Sequence, residues 1–137
     1  MIKVDDLIGV PFVGKGRDKH GFDCYGLAKE VFRRYGCEIP EYYAEWDNND
    51  ACTEFAHKSM NGGLWRRLEE PKEPCLMAIR FGVKRGIVNH SGVYIGNGMF
   101  IHTRERTGVC IEKINSPAWR GLIEGYYEYI GNCKEPV

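Results

Sequence analysis

The sequence predicts an α+β domain with an antiparallel sheet. Segments with helical spacing come first along the chain, a run of alternating segments follows, and the length suits a single core. At 137 residues and 43% hydrophobic, residues 1–137 are expected to form one globular domain.

The helix is marked at both ends. In CYGLAKEVFRRYG, Cys24, Leu27, Ala28, Val31, Phe32 and Tyr35 recur at helical spacing, with Lys29, Glu30, Arg33 and Arg34 between them. Asp23 is a good N-cap and Gly36 a good C-terminal stop, so Cys24 falls at the first helical position. A second, weaker helix is expected over residues 49–60, burying Cys52, Phe55 and Ala56, with His57 as a surface or partly buried residue rather than a ligand. It ends at the Asn61, Gly62, Gly63 cluster. Beyond it CLMAIRF, HSGVYIGNGMFIHT, GVCIEKI and GYYEYI read as strands.

Composition excludes several partners. With 19 basic and 19 acidic residues, the chain has no electrostatic footprint for nucleic acid or an anionic membrane surface. No apolar run reaches membrane-spanning length, and the N-terminus lacks the order of a secretory signal, so synthesis in the cytoplasm as a soluble protein is expected. The six cysteines are expected to be reduced thiols. Cys37, Cys52, Cys75, Cys110 and Cys133 read as small buried hydrophobes. No C-x-x-C pair and no histidine at zinc-loop spacing occurs, so neither a metal nor an organic cofactor is expected.

The hairpin HSGVYIGNGMFIHT relates two histidines. A three-residue loop of Gly96, Asn97 and Gly98 pairs Ile95 with Met99 and Val93 with Ile101, placing all four on one apolar face. His90, Gly92, Tyr94, Phe100 and His102 then share the other face. Gly92 lies opposite His102, with His90 on the diagonal, across space that a side chain at 92 would fill.

Those residues suit nucleophilic catalysis. A free cysteine is mostly protonated at neutral pH, but the N–H groups and positive dipole end at a helix start favour a thiolate there. The same N–H groups can stabilise an oxyanion. Cys24, His90 and His102 thus supply nucleophile, base and orienting group, provided the helix start packs against the histidine face. Gly26 is expected to leave room beside the sulfur for a substrate backbone.

GRDKHGFDCYGL at 16–27 and NHSGVYIGNGMFIHT at 89–103 resemble, in order and separation, the two catalytic blocks of the NlpC/P60 cysteine peptidases. The GRD lead-in, FRRYGCEIPEY and SPAWRGLIEGYYEY resemble the phage tail-assembly branch. The resemblance implies a papain-like fold, with the nucleophile at a helix N-terminus packed on an antiparallel sheet. It implies Cys24 as nucleophile, His90 as general base and His102 as the orienting residue. It also implies Asp23, Tyr25, Phe12 and Gly92 as residues of the oxyanion or substrate-binding region. Two positions depart from the family pattern. Phe12 stands where many relatives have a tyrosine whose hydroxyl helps the oxyanion site, leaving Tyr25 as a substitute donor. EPCLM replaces the usual Pro-Gly-Asp start of the first sheet strand.

The implied activity is hydrolysis of an amide in peptidoglycan stem peptides, at the γ-D-glutamyl to diamino acid bond. The implied setting is a phage or phage-like tail, with other tail proteins as partners and action at the cell wall. The alternatives are a tail-assembly module of the same fold with weak or no hydrolysis, and acyl transfer to an acceptor other than water. The sequence does not specify an oligomeric state.

Overall fold

The computed structural model describes residues 2–42, 63–80, 87–131 and 133. The expected helix over 49–60, with Cys52 and His57, lies outside the described residues.

A short 3-10 turn, Asp5–Leu7, precedes a two-stranded ribbon of β1 (Arg17–Asp18) and β2 (Gly21–Phe22), which leads directly into helix α1 (Cys24–Arg34). The helix begins and ends where its sequence says it should. Asp23, with extended backbone, accepts a hydrogen bond from Gly26 N. At the other end Gly36 adopts φ 90°, Gly36 N donates to Arg33 O, and Cys37 N donates to Phe32 O. This is the paired bonding of a Schellman stop, whose left-handed residue favours glycine. Tyr25, Leu27, Ala28, Val31 and Phe32 are buried on the inner side.

Six strands form the main sheet: β3 (Trp65–Leu68), β4 (Cys75–Ile79), β5 (His90–Gly96), β6 (Met99–Arg104), β7 (Gly108–Lys113) and β8 (Ile123–Tyr129). Their order is β3-β8-β4-β5-β6-β7, and every neighbouring pair is antiparallel. β3 and the β1–β2 ribbon are too short to carry a readable alternation. Among the described residues no helix is long and apolar enough to cross a membrane.

The sheet is covered on both faces. On one, Val93, Ile95, Ile101 and Ala78 pack with Leu27, Ala28, Val31 and Phe32 of α1. On the other, Met77, Ile79 and Phe100 pack with Trp119, carried by the turn between β7 and β8.

Two expectations are corrected. Cys37 and Cys133 are not reduced thiols but form a disulfide across 96 positions. An isolated antiparallel bridge between the two residues brings their backbones together just after α1 and just after β8. The hairpin loop also differs. Val93 pairs with Ile101 as expected, but Gly96 rather than Ile95 pairs with Met99, around a two-residue turn of Asn97 and Gly98. A bulge between Tyr94 and Gly96 absorbs the extra residue. It restores the register that a two-residue turn would otherwise have shifted.

Candidate active site

The nucleophile turn is held by one arginine. Arg17 Nη1 donates to Gly16 O at 2.8 Å and to Asp23 Oδ1 at 2.7 Å, Nε donates to Glu41 at 2.8 Å, and Nη2 donates to Tyr42 O at 2.8 Å. Asp23 Oδ2 accepts from Lys15 N at 3.0 Å. Asp23 therefore organises the turn that presents Cys24, with both carboxylate oxygens occupied, and is not placed to bind substrate. Gly26 also has a role other than the expected one. A Cβ there would lie 2.1 Å from Gly16 O and 2.8 Å from Arg17 Nη1, so protein fills the space expected for a substrate.

Cys24 is half-buried at the first position of α1, which packs against β5 and β6. Packing around its sulfur pushes the thiol up, and the neighbouring Asp23 carboxylate adds to this. The Tyr25 N–H at the helix start does favour the thiolate, but burial outweighs it. Asp23 takes up Gly26 N–H and brings a negative charge to the same spot. Groups of Ser91 beside the sulfur offset part of the rise. Ser91 Oγ itself is buried with no partner of ordinary hydrogen-bond geometry among the described residues.

The two histidines meet as expected. His90 Nε2 lies 2.8 Å from His102 Nδ1, and both residues are buried. A Cβ at Gly92 would stand 2.9 Å from the Phe100 ring and 3.5 Å from His102 Cβ, so the bare position is what lets the rings close up. Beyond His102 the chain of contacts continues, because Nε2 lies 3.0 Å from Glu112 Oε2. An ionised carboxylate only accepts, so the proton sits on His102 Nε2 and Nδ1 is the acceptor. His90 Nε2–H then donates to it, leaving a lone pair on His90 Nδ1. In that tautomer His90 Nδ1 is able to accept a proton.

Glu112, Ser91 and Trp119 were not singled out from sequence. Trp119 is 3% exposed. It stacks on His90 with ring centroids 6.1 Å apart and meets His102 edge-on at 4.8 Å. Arg104 lies over the indole, 5.3 Å from its centroid. Of the proposed oxyanion-region residues, Tyr25 is not placed as a donor there, since its hydroxyl donates to Pro40 O. Phe12 pairs through its backbone with Phe22 on the strand leading to Cys24.

Burial, then the positive charge of His102, holds His90 down to about 3. Burial, then Arg104, holds His102 down to about 4. In the unfolded chain both titrate near about 6.5. Below that pH the unfolded state binds more protons, so stability falls as pH falls through the window between 6.5 and the folded values. In chelator-containing buffer, going from pH 7 to about 4.5 is expected to cost up to about 5 kcal/mol from this coupled pair. Urea unfolding of wild type and a His90→Gln/His102→Gln double variant measures it, and equal pH slopes would refute it.

Comparisons with known proteins bear on the family and the fold. Residues 9–126 match the model of the NlpC/P60 family. The chain is 28% identical over 116 residues to the murein DD-endopeptidase MepS/murein LD-carboxypeptidase of Escherichia coli K12, covering 84% of this chain and 53% of that protein. It is 28% identical over 130 residues to the γ-D-glutamyl-L-lysine dipeptidyl-peptidase of Bacillus cereus, covering 89% of this chain and 34% of that one. The chain thus spans about half or less of the length of these curated relatives. Among solved structures, an NlpC/P60 family protein from Bacillus cereus superposes with TM-score 0.64 at 25% identity, over 91% of this chain and 37% of that one. The NlpC/P60 domain of the peptidoglycan hydrolase SagA shares the fold with TM-score 0.57 at 21% identity, over 89% of each chain. With its helix-borne cysteine, its paired histidines and a family match over most of its length, this chain belongs to the NlpC/P60 family.

Proposed function

We propose that this protein is a cysteine peptidase that hydrolyses an amide bond in the peptide stems of peptidoglycan. The observation that carries the reading is the Glu112–His102–His90 relay, which ends on β5 at the position next to Ser91. Ser91, next to His90 on β5, lies against the Cys24 sulfur, so thiol and base come from adjoining positions. His90 Nδ1 takes the thiol proton as sulfur attacks the carbonyl, and the same proton goes to the leaving amine as the acyl-enzyme forms. Water, deprotonated by His90, then releases the acid. With the thiol raised and the imidazole lowered, the resting pair is neutral, and proton transfer accompanies attack.

The γ-D-glutamyl to diamino acid bond is the proposed scissile bond, supported by the Bacillus relative's name. Association with a phage or phage-like tail, and action at the cell wall as part of such a particle, rest on the sequence resemblance alone. The test is digestion of purified peptidoglycan. Wild type is expected to release muropeptides with new amino groups, and Cys24→Ala to lose at least about a thousandfold in rate. Equal release by both proteins would refute the mechanism. The second reading, a weak or inactive module of the same fold, is favoured by the raised Cys24 thiol and by Phe12. It predicts no release from either protein.

A further inference from the structure

On the side of His102 away from His90, three metal-binding donors converge. His102 and Cys110 are direct cross-strand partners on β6 and β7, and Glu112, two residues along β7, shares their face. His102 Nε2 lies 3.0 Å from Glu112 Oε2 and 3.5 Å from Cys110 Sγ, and the three donor atoms fall within 4.8 Å of one another.

These spacings can be compared with those a metal imposes. A tetrahedral zinc ion, with Zn–S about 2.3 Å and Zn–N about 2.0–2.1 Å, holds sulfur and nitrogen about 3.5 Å apart and oxygen and nitrogen about 3.3–3.4 Å apart. The sulfur already stands at that separation from the nitrogen; sulfur and carboxylate, with a spread of up to 4.8 Å against about 3.6 Å in a tetrahedral site, require the half-buried Glu112 side chain to swing by about an ångström. Glu112 and Cys110 are both half-buried, which leaves a solvent approach and a fourth position for water. Imidazole, thiolate and carboxylate together form a donor set suited to zinc rather than to calcium or magnesium.

We propose that His102, Cys110 and Glu112 bind a zinc-like divalent cation, and that its occupancy switches the peptidase off. The switching half rests on the reading of His90 as general base. The cation takes the lone pair of His102 Nε2, so the proton there is lost and Nδ1 must carry the ring's proton instead. His102 Nδ1–H then donates to His90 Nε2, which has given up its own proton, and His90 is protonated on Nδ1. Each imidazole remains neutral with one proton, and the net proton released comes from the Cys110 thiol. His90 now presents a donor where catalysis needs an acceptor. Arg104, whose charge acts on both His102 and Cys110, faces a neutral complex, because thiolate and carboxylate balance the ion's two charges.

The test separates binding from inhibition. Binding is read with cobalt(II) in the Cys24→Ala protein, which removes the thiol of the proposed catalytic site. A thiolate-to-cobalt charge-transfer band is expected there. Adding Cys110→Ser is expected to abolish it, and adding Glu112→Gln to weaken cobalt binding at least tenfold. Nitrogen-15 shifts of labelled histidine are expected to show the His90 proton moving from Nε2 to Nδ1 as zinc is added. In wild type, zinc is expected to lower the hydrolysis rate at least tenfold, reversibly with chelator. Cys110→Ser should need at least tenfold more zinc for the same fractional loss from its own metal-free rate. A missing band, or one that persists in the Cys110→Ser background, overturns the site. Binding without a tautomer change or loss of rate overturns the switch. Should metal-free wild type hydrolyse nothing, the proposed function fails, while the cobalt and nitrogen-15 measurements still decide the metal proposal.

Discussion

Gly26→Ala is expected to destabilise the protein by about 3 kcal/mol or more. Elsewhere in a helix the same change stabilises by roughly 1 kcal/mol. The sign reverses because of what stands beside the residue. The new Cβ would meet Gly16 O at 2.1 Å, Arg17 Nη1 at 2.8 Å and Asp23 Oδ1 at 3.2 Å. A backbone carbonyl cannot rotate away as a flexible side chain can. Gly16 N is itself tied to Val13 O, and Arg17 Nη1 bridges Gly16 O to the capping carboxylate. Relief therefore breaks the arginine's hold on Asp23 and lets the first turn of α1 drift, carrying Cys24 with it. Urea unfolding reads the stability, and the hydrolysis rate at temperatures where the variant is folded reads the drift. An alanine variant as stable as wild type would show that Gly16 and Arg17 do not approach the helix as described.

Trp119→Ala is expected to cost about 3–5 kcal/mol, the range for removing a buried aromatic ring. The indole forms a lid on the histidine pair and also meets Phe100 edge-on at 5.5 Å. Its removal has a second consequence, since burial is the leading cause of the low pKa of both histidines. Water admitted to the cavity should raise both toward the ordinary value, which NMR titration of the imidazoles would follow. Trp119→Phe keeps an aromatic lid and should preserve most of both properties. A loss below about 1 kcal/mol for the alanine variant, with unchanged histidine titration, would rule out this role.

What could be read from the sequence was what neighbours along the chain decide. Asp23 and Gly36 bound α1 because capping is a matter of a few adjacent residues. His90 and His102 share a face because strand alternation is strict once Val93 pairs with Ile101. The turn was misread because Asn97 and Gly98 satisfy a two-residue hairpin as well as part of a three-residue one, and only packing of Ile95 into the core selects the bulge. Glu112 could not be found locally, since its meeting with His102 depends on the register of β7 against β6. Trp119 reaches the site from a turn with no periodicity, and the Cys37–Cys133 bridge joins segments that only the finished fold brings together. At Cys24 the helix start favours the thiolate locally, through the Tyr25 N–H, whereas the burial that outweighs it depends on what the finished fold packs around the sulfur.

The bulge at Ile95 bears on which changes of chain length this protein can accept. It lies between the hairpin tip and the residues whose pairing aligns the two histidines, so it separates the tip from the ladder below. Residues added between Asn97 and Gly98 lengthen an exposed loop, for which the closure cost grows only with the logarithm of its length. One residue inserted between His90 and Val93 would instead turn His90 to the α1 side of the sheet, leaving His102 without its partner. Homologous chains and engineered insertions should therefore vary freely at the tip while keeping the spacing from His90 to Val93 fixed.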